Sequence, residues 1–250
     1  MADMADVSGR AHQGVHYLDF LSMLDQQLAP RAYLEIGTNT GASVERFSCD
    51  AVCIDPKLLI ERNVWARRRR SFLFQMTADD FFRDEDLRAY FPKGPDIAFL
   101  DGMHLFEYLL RDFINTEKQC HAQSLILLHD CLPLTPRMAR RAYAAGDEAE
   151  GEYRWAWTGD VWKTLYAFKL FRPDLLIHFL DCPPTGLIAV RRLAPTSTAL
   201  SGRYDEIVAR IGRLELDEAK LDELWSLYPT IATGDLSPAS HDVSAIFNCR

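Results

Sequence analysis

Five short apolar runs punctuate the first half of the chain: AYLEIG (32–37), DAVCIDP (50–56), RSFLFQMT (70–77), DIAFLDG (96–102) and SLILLHD (124–130). They are nearly continuous rather than alternating, the pattern of strands buried on both faces of a parallel sheet. Amphipathic stretches lie around and between them. GVHYLDFLSMLDQQL, stopped by Pro30, reads as a helix, and GASVERFS is expected to open another after the first run. ADDFFRDEDLRAYF reads as one helix. LFEYLLRDFINTEKQ reads as a further one, with Phe106, Leu109, Leu110 and Phe113 along one side and a Glu107–Arg111 pair one turn apart. Alternation on this scale implies right-handed crossovers and a doubly wound α/β sheet.

The rhythm breaks at 131–161, a stretch rich in Arg, Trp and Tyr, and resumes with helix DVWKTLYAFKLF and strands LLIHFLD and LIAVRRL. The short CPPTG link between those strands calls for an antiparallel hairpin. Residues 200–228 read as helices appended to the sheet, and the tail from about 229 carries no clear pattern. A chain of 250 residues is of the size of one α/β domain, so a single domain over 1–250 is expected, with a helical extension at 200–250.

A net charge of −8 argues against a general nucleic-acid binder, and no apolar stretch approaches the length of a membrane span. The run Arg67–Arg70 reads as a solvated edge, with an anion site as the alternative. Six cysteines without a CxxC pair, and an N-terminus without a signal-peptide pattern, point to reduced thiols in a cytoplasmic protein. His12 and His16 have a metal-compatible spacing but no third ligand in sight. The appended C-terminal helices offer a surface through which the chain could form a homo-oligomer.

In such a sheet, ligands collect at the carboxyl ends of the strands. The turn after the first strand carries Gly37 and Gly41, with Asn39 where a dinucleotide fingerprint has the glycine that admits a pyrophosphate. Asp55 ends the second strand, 18 residues after Gly37, where a carboxylate can take both ribose hydroxyls. A cofactor with a ribose and no pyrophosphate fits these facts, and S-adenosylmethionine is the obvious candidate. Glu35 shares strand parity with Gly37, which would set its carboxylate under the methionine ammonium.

LEIGTNTGAS, CIDP, FLDGMHLFEYLLRDF and LILLHDC resemble the class I S-adenosylmethionine-dependent methyltransferases, more narrowly methyltransferase family 24, over about residues 30–193. The resemblance implies a Rossmann-like, seven-stranded, mostly parallel sheet whose last strand is reversed. It implies that Glu35, Gly37 and Gly41, with Thr38 in the same turn, hold the methionine end of the cofactor. It further implies that Asp55 holds the ribose and that Ala78 or Asp79 borders the adenine. Asn39 departs from the glycine common in the wider class.

Asp101 and Asp130 end the fourth and fifth strands; if these are neighbours, the acids lie about 5 Å apart. Carboxylates that close call for a shared proton or a cation such as Mg²⁺, which would lower the pKa of an acceptor hydroxyl. The alternative is that Asp101 and Asp130 cap helices or meet cofactor groups, and Asp101 also counts among the candidate cofactor-binding residues. Catechol-type metal-dependent O-methyltransferases resemble this pair, but their further ligand is unmatched beside Asp130, where His129 and Cys131 stand. His104 is a candidate base for the same hydroxyl, or a helix cap. Residues 131–161 offer Arg137, Arg140, Arg141, Tyr143, Tyr153, Trp155 and Trp157 for a substrate lid, and Asp160 and Lys163 lie one helical turn apart near the same mouth. The resulting expectation is O-methylation of a small, polar, hydroxyl-bearing molecule such as a sugar, a glycosylated natural product or an aromatic. A nicotinamide-dependent oxidoreductase and a non-catalytic cofactor-binding module remain as alternatives.

Overall fold

A computed structural model describes residues 10–143, 156–236 and 247. Helix α1 (Tyr17–Leu28) is followed by β1 (Ala32–Ile36), β2 (Asp50–Ile54) and β3 (Ser71–Phe74). Then come α2 (Ala78–Asp84), α3 (Leu87–Tyr90), β4 (Ile97–Leu100), α4 (Phe106–Gln119) and β5 (Leu125–His129). Beyond residue 156 lie α5 (Lys163–Phe171), β6 (Leu176–Leu180), β7 (Leu187–Arg191), α6 (Tyr204–Ile211), α7 (Glu218–Trp225) and a two-residue β8 (Thr230–Ile231).

The strands form one sheet in the order β3-β2-β1-β4-β5-β7-β6-β8. All pairings among β1 to β5 are parallel, and β7 runs antiparallel to both β5 and β6. The expected hairpin and reversed strand are therefore present. The strand count is corrected from seven to eight: β8 pairs with β6 at the edge, from a tail whose two-residue run is too short to carry a sequence signal.

One face of the sheet, with Leu34, Ile54, Leu100 and Leu128, packs under α4 and α5. The α4 stripe is the one its spacing calls for: Phe106, Leu109, Leu110 and Phe113 are all buried. The opposite face, with Tyr33, Cys53, Phe99 and Leu127, packs on Phe20, Leu21 and Leu24 of α1. That helix ends where Ala29 turns left-handed before Pro30.

Two helix expectations are corrected. GASVERFS forms only a 3₁₀ turn at Val44–Arg46, because the Ser43 hydroxyl donates to Glu35 instead of capping a helix. Phe47 then leaves in extended backbone and stacks on Tyr33, ring centroids 3.9 Å apart. ADDFFRDEDLRAYF is two helices, α2 and α3, since Asp86 caps a fresh start by accepting from the Arg88 N–H. Among the described residues, no helix is long and apolar enough to cross a membrane.

The Arg67–Arg70 run mostly clasps its own chain. Arg67 pairs with Asp25 at 3.1 Å, Arg68 donates to the Val44 and Phe47 carbonyls, and Arg70 pairs with Asp50 at 2.6 Å.

Candidate active site

A cavity of about 1020 Å³ opens at the carboxyl ends of the strands. It exists because the chain must turn out of each parallel strand there, leaving loops rather than packed helix over the sheet end. Gly37, Asp55, Ala78 and Asp79 line it on the side of β1 to β3, and Asp101, His104 and Asp130 on the side of β4 and β5. Of the residues anticipated for the cofactor, Glu35, Thr38 and Gly41 do not line it.

Gly37 is required by crowding. Its φ is +92°, and a Cβ there would lie 1.8 Å from the Asp101 carbonyl oxygen, so only glycine lets β1 end against β4. Asn39 takes a left-handed conformation with φ 45°, which an asparagine tolerates, and its N–H donates to Asp55 Oδ2 at 2.8 Å. The Lys57 N–H donates to Asp55 Oδ1 at 2.7 Å. Asp55 thus ties the loops after β1 and β2 together while still facing the cavity. Each carboxylate oxygen keeps room for a second hydrogen bond.

Glu35 is placed differently from the parity argument. Its side chain lies with Tyr33 and Cys53 on the α1 side of the sheet, fully buried, beneath the loop that Ser43 holds down. Burial raises its carboxyl to about 8, and Oε2 has no hydrogen-bond partner among the described residues. Strand parity assigns a face, but the cavity lies past the strand end, so parity does not lead into it. Asp79 is also engaged: Arg111 of α4 donates to both its oxygens at 2.7 to 3.1 Å, and Arg111 Nη1 donates to the Tyr204 hydroxyl at 2.7 Å.

The acids after β4 and β5 meet as their register requires, and two imidazoles stand between them. His129 Nδ1 lies 3.1 Å from Asp101 Oδ1 and 3.3 Å from Asp130 Oδ2. His104 Nε2 lies 3.0 Å from Asp130 Oδ2 and 3.7 Å from Asp101 Oδ1. Burial opposes a charge on His104, but the carboxylates of Asp130 and Asp101 outweigh it and raise its pKa to about 9. The same balance of burial against Asp130 and Asp101 leaves His129 well above its ordinary value. Burial pushes the Asp130 carboxyl up, but His129 and His104 pull it further down, below the usual carboxylate range. The cluster thus supplies its own counter-charge. An imidazolium has no lone pair to accept a proton, so His104 serves as a base only after Nε2 is freed.

Asp101, His104 and Asp130 each offer one ligand atom, all within 4.8 Å of one another, as a group that could hold a metal ion. His104 is prepared for that task. Its Nδ1 lies 2.9 Å from the Trp157 carbonyl, to which an Nδ1–H donates, so Nε2 is the nitrogen aimed at the acids. Two carboxylates and one imidazole fit a divalent ion, with a preference for softer ions than Mg²⁺. His12, in contrast, spends Nε2 on the Leu132 carbonyl at 2.9 Å.

The far wall is aromatic. Trp157 stacks on His104 with centroids 5.2 Å apart, Tyr143 meets Trp157 edge-on, and Tyr17 packs 4.5 Å from His129. Tyr153 and Trp155, also expected in the lid, lie outside the described residues. Sequence reasoning passed over Tyr17 and Asp112, which both line the cavity. Asp112 is a buried acid on the flank of the apolar stripe of α4, three residues after Leu109.

No family model matches the chain, and no curated protein matches it. Among solved structures, the chain is similar to the S-adenosylhomocysteine-bound methyltransferase PaMTH1 of Podospora anserina. The TM-score is 0.53 at 16% identity, over 70% of this chain and 77% of that one. A putative caffeoyl-CoA O-methyltransferase from Staphylococcus aureus aligns with TM-score 0.48 at 17% identity, over 70% and 82% of the two chains. An O-methyltransferase from Bacillus cereus in complex with S-adenosylhomocysteine aligns with TM-score 0.48 at 16% identity, over 75% and 83%. Together with the sheet order, the likeness to PaMTH1 defines the fold as the Rossmann-like fold of class I methyltransferases. At these identities it is a likeness of fold.

Proposed function

We propose that this protein is an S-adenosylmethionine-dependent methyltransferase acting on an oxygen of a small, polar, hydroxyl-bearing acceptor. The observation that carries the reading is one cavity joining Asp55, at the end of β2, to the Asp101–His104–Asp130 cluster. Its volume of about 1020 Å³ is at the upper end of the roughly 300–1,000 Å³ of small-molecule sites, room for a cofactor and an acceptor together.

In this reading Asp55 accepts from the ribose hydroxyls with the lone pairs that Asn39 and Lys57 leave free. Gly37 gives the methionine end access to the backbone at the end of β1. The acceptor enters beneath Trp157 and Tyr143, whose flat faces suit an aromatic or sugar ring, with residues 131–161 as its lid. Its hydroxyl meets the cluster, loses its proton, and the oxygen displaces the methyl from sulfur, leaving a neutral thioether. A divalent ion held by Asp101, His104 and Asp130 would lower the pKa of that hydroxyl. Without an ion, His104 Nε2 takes the proton in the fraction of molecules where it is free.

Two measurements test the reading. Equilibrium binding should favour S-adenosylhomocysteine over NAD. Labelled methyl from S-adenosylmethionine should then pass to some member of a pool of phenols and saccharides, and more so with Mn²⁺ than with chelator if an ion takes part. Tighter binding of NAD would shift the reading to a nicotinamide oxidoreductase. Cofactor binding with no transfer to any acceptor would leave a non-catalytic module.

A further inference from the structure

Asp112 lines the cavity and is only 5% exposed. Among the described residues its carboxylate takes no hydrogen bond; only the charges of Asp79 and Arg111 bear on it. The adjacent cation is already spent, because Arg111 turns its guanidinium to Asp79 and Tyr204. A buried carboxyl left in this state is costly, and a native fold that keeps one calls for a donor from outside the chain.

Its position says where that donor comes from. A Cβ built on Gly102 would lie 3.3 Å from Asp112 Oδ2, so the carboxylate sits beside the space that a side chain at 102 would claim, just past the end of β4. Tyr108, one turn earlier on α4, and Ala78, at the start of α2, line the same cavity. The same cavity runs from Asp55 to this wall between α2 and α4, so a cofactor with its ribose at Asp55 would have this wall open to its base. Burial, with the Asp79 charge adding to it, raises the Asp112 carboxyl to about 7, in keeping with a group waiting for a donor.

We propose that Asp112 accepts a hydrogen bond from the exocyclic amine of the cofactor's base, and so selects a 6-aminopurine over a 6-oxopurine. The inference rests on the methyltransferase reading and deepens it. Asp79, the acid expected beside the base, is bound to Arg111, and Asp112 supplies the free acceptor in its stead.

The test is isothermal titration of the full chain at about pH 8, where a carboxyl of pKa about 7 is mostly ionised, with S-adenosylhomocysteine and with S-inosylhomocysteine, which carries a carbonyl oxygen where adenine carries the amine. Wild type should prefer the adenosyl compound by about tenfold or more, because a carbonyl facing a carboxylate repels where an amine donates. Asp112→Asn should bring the ratio within about threefold, since an amide can accept from an amine or donate to a carbonyl. Asp112→Ala, which presents neither charge nor acceptor, should do the same. Equal binding of the two compounds by wild type overturns the inference without any variant. So does a wild-type ratio that survives in both variants, or one that collapses in Asp79→Asn but not in Asp112→Asn. Failure of wild type to bind either compound is a different result: it overturns the methyltransferase reading, and the inference with it.

Discussion

His104 Nε2 lies 3.0 Å from Asp130 Oδ2, and the opposite nitrogen of the same ring is held 2.9 Å from the Trp157 carbonyl. The ring is therefore clamped between the Trp157 backbone and the end of β5. Its proton is part of that clamp, since the acids hold its pKa at about 9 against the ordinary 6.5. Much of what the site can do follows from whether that proton is present.

The first consequence is for stability in metal-free protein. Because the folded pKa of His104 lies above the unfolded one, its contribution is complete below pH 6.5 and is lost as pH rises toward 9. A rise of this size corresponds to about 3 kcal/mol at most. Urea unfolding in chelator should show wild type losing stability over that window relative to His104→Gln. A difference between the two that stays constant with pH would remove the proton from the clamp.

A metal ion held by Asp101, His104 and Asp130 would compete with that proton for one nitrogen. Adding Mn²⁺ to chelator-stripped protein at pH 7.5 in weak buffer should release about one proton per ion bound. Asp130→Asn should abolish both binding and release. Ion uptake with no change in pH would mean that the ion binds elsewhere.

Asp55 couples the proposed cofactor site to the fold. Each of its oxygens already accepts a backbone N–H, from Asn39 and from Lys57. Asp55→Asn therefore turns an amide N–H toward one of these donors, and should lower stability by about 1–2 kcal/mol even without ligand. Affinity for S-adenosylhomocysteine should fall by roughly tenfold to a hundredfold through loss of charged hydrogen bonds to the ribose. Normal affinity in a destabilised variant would limit Asp55 to tying the loops.

The strands were legible because burial on both sides leaves a nearly unbroken apolar run, and Asp55, Asp101 and Asp130 because they end such runs. The α4 face was legible from its spacing. What the sequence hid were relationships across distant segments. Ser43 could be read as opening a helix, yet its hydroxyl serves Glu35. Asp79 stood at the expected place, but its capture by Arg111 depends on how α2 packs on α4. The pairing of His104 and His129 with the two acids depends on the turns after β4 and β5, where Asp130 takes φ +60°.

Glu35 separates the parity argument from the observed fold. Its folded pKa of about 8 lies above the ordinary 4.5, so the native state holds a proton that the unfolded chain releases between those values. Native stability therefore declines as pH rises through that range, by at most about 1.4 kcal/mol per unit. Glu35→Gln, which cannot ionise, should gain on wild type progressively from pH 5 to 8 in urea unfolding. Its affinity for S-adenosylhomocysteine should change by less than about threefold, since a group outside the cavity wall makes no charged hydrogen bond to the ligand. A loss of tenfold or more would return Glu35 to the ammonium.

Arg141 tests whether the lid proposed at residues 131–161 acts on the acceptor alone. Its guanidinium pairs with Glu107 at the start of α4 and with Asp160 Oδ2 at 2.9 Å. Asp160 also takes Lys163 Nζ at 3.0 Å and the Phe106 N–H at 2.9 Å, so removing Arg141 leaves that buried carboxylate with two of its donors. Arg141→Ala should therefore cost less than about 1 kcal/mol of stability, as expected for a half-exposed ion pair. The neighbouring Arg140 carbonyl receives the Trp157 indole N–H at 2.6 Å, and the Trp157 carbonyl holds His104. Loosening this segment should raise the KM for the acceptor and lower kcat, while the Kd for S-adenosylhomocysteine, set around Asp55, stays the same. A matching loss of cofactor affinity would mean that residues 131–161 support the whole cavity rather than cover its acceptor half.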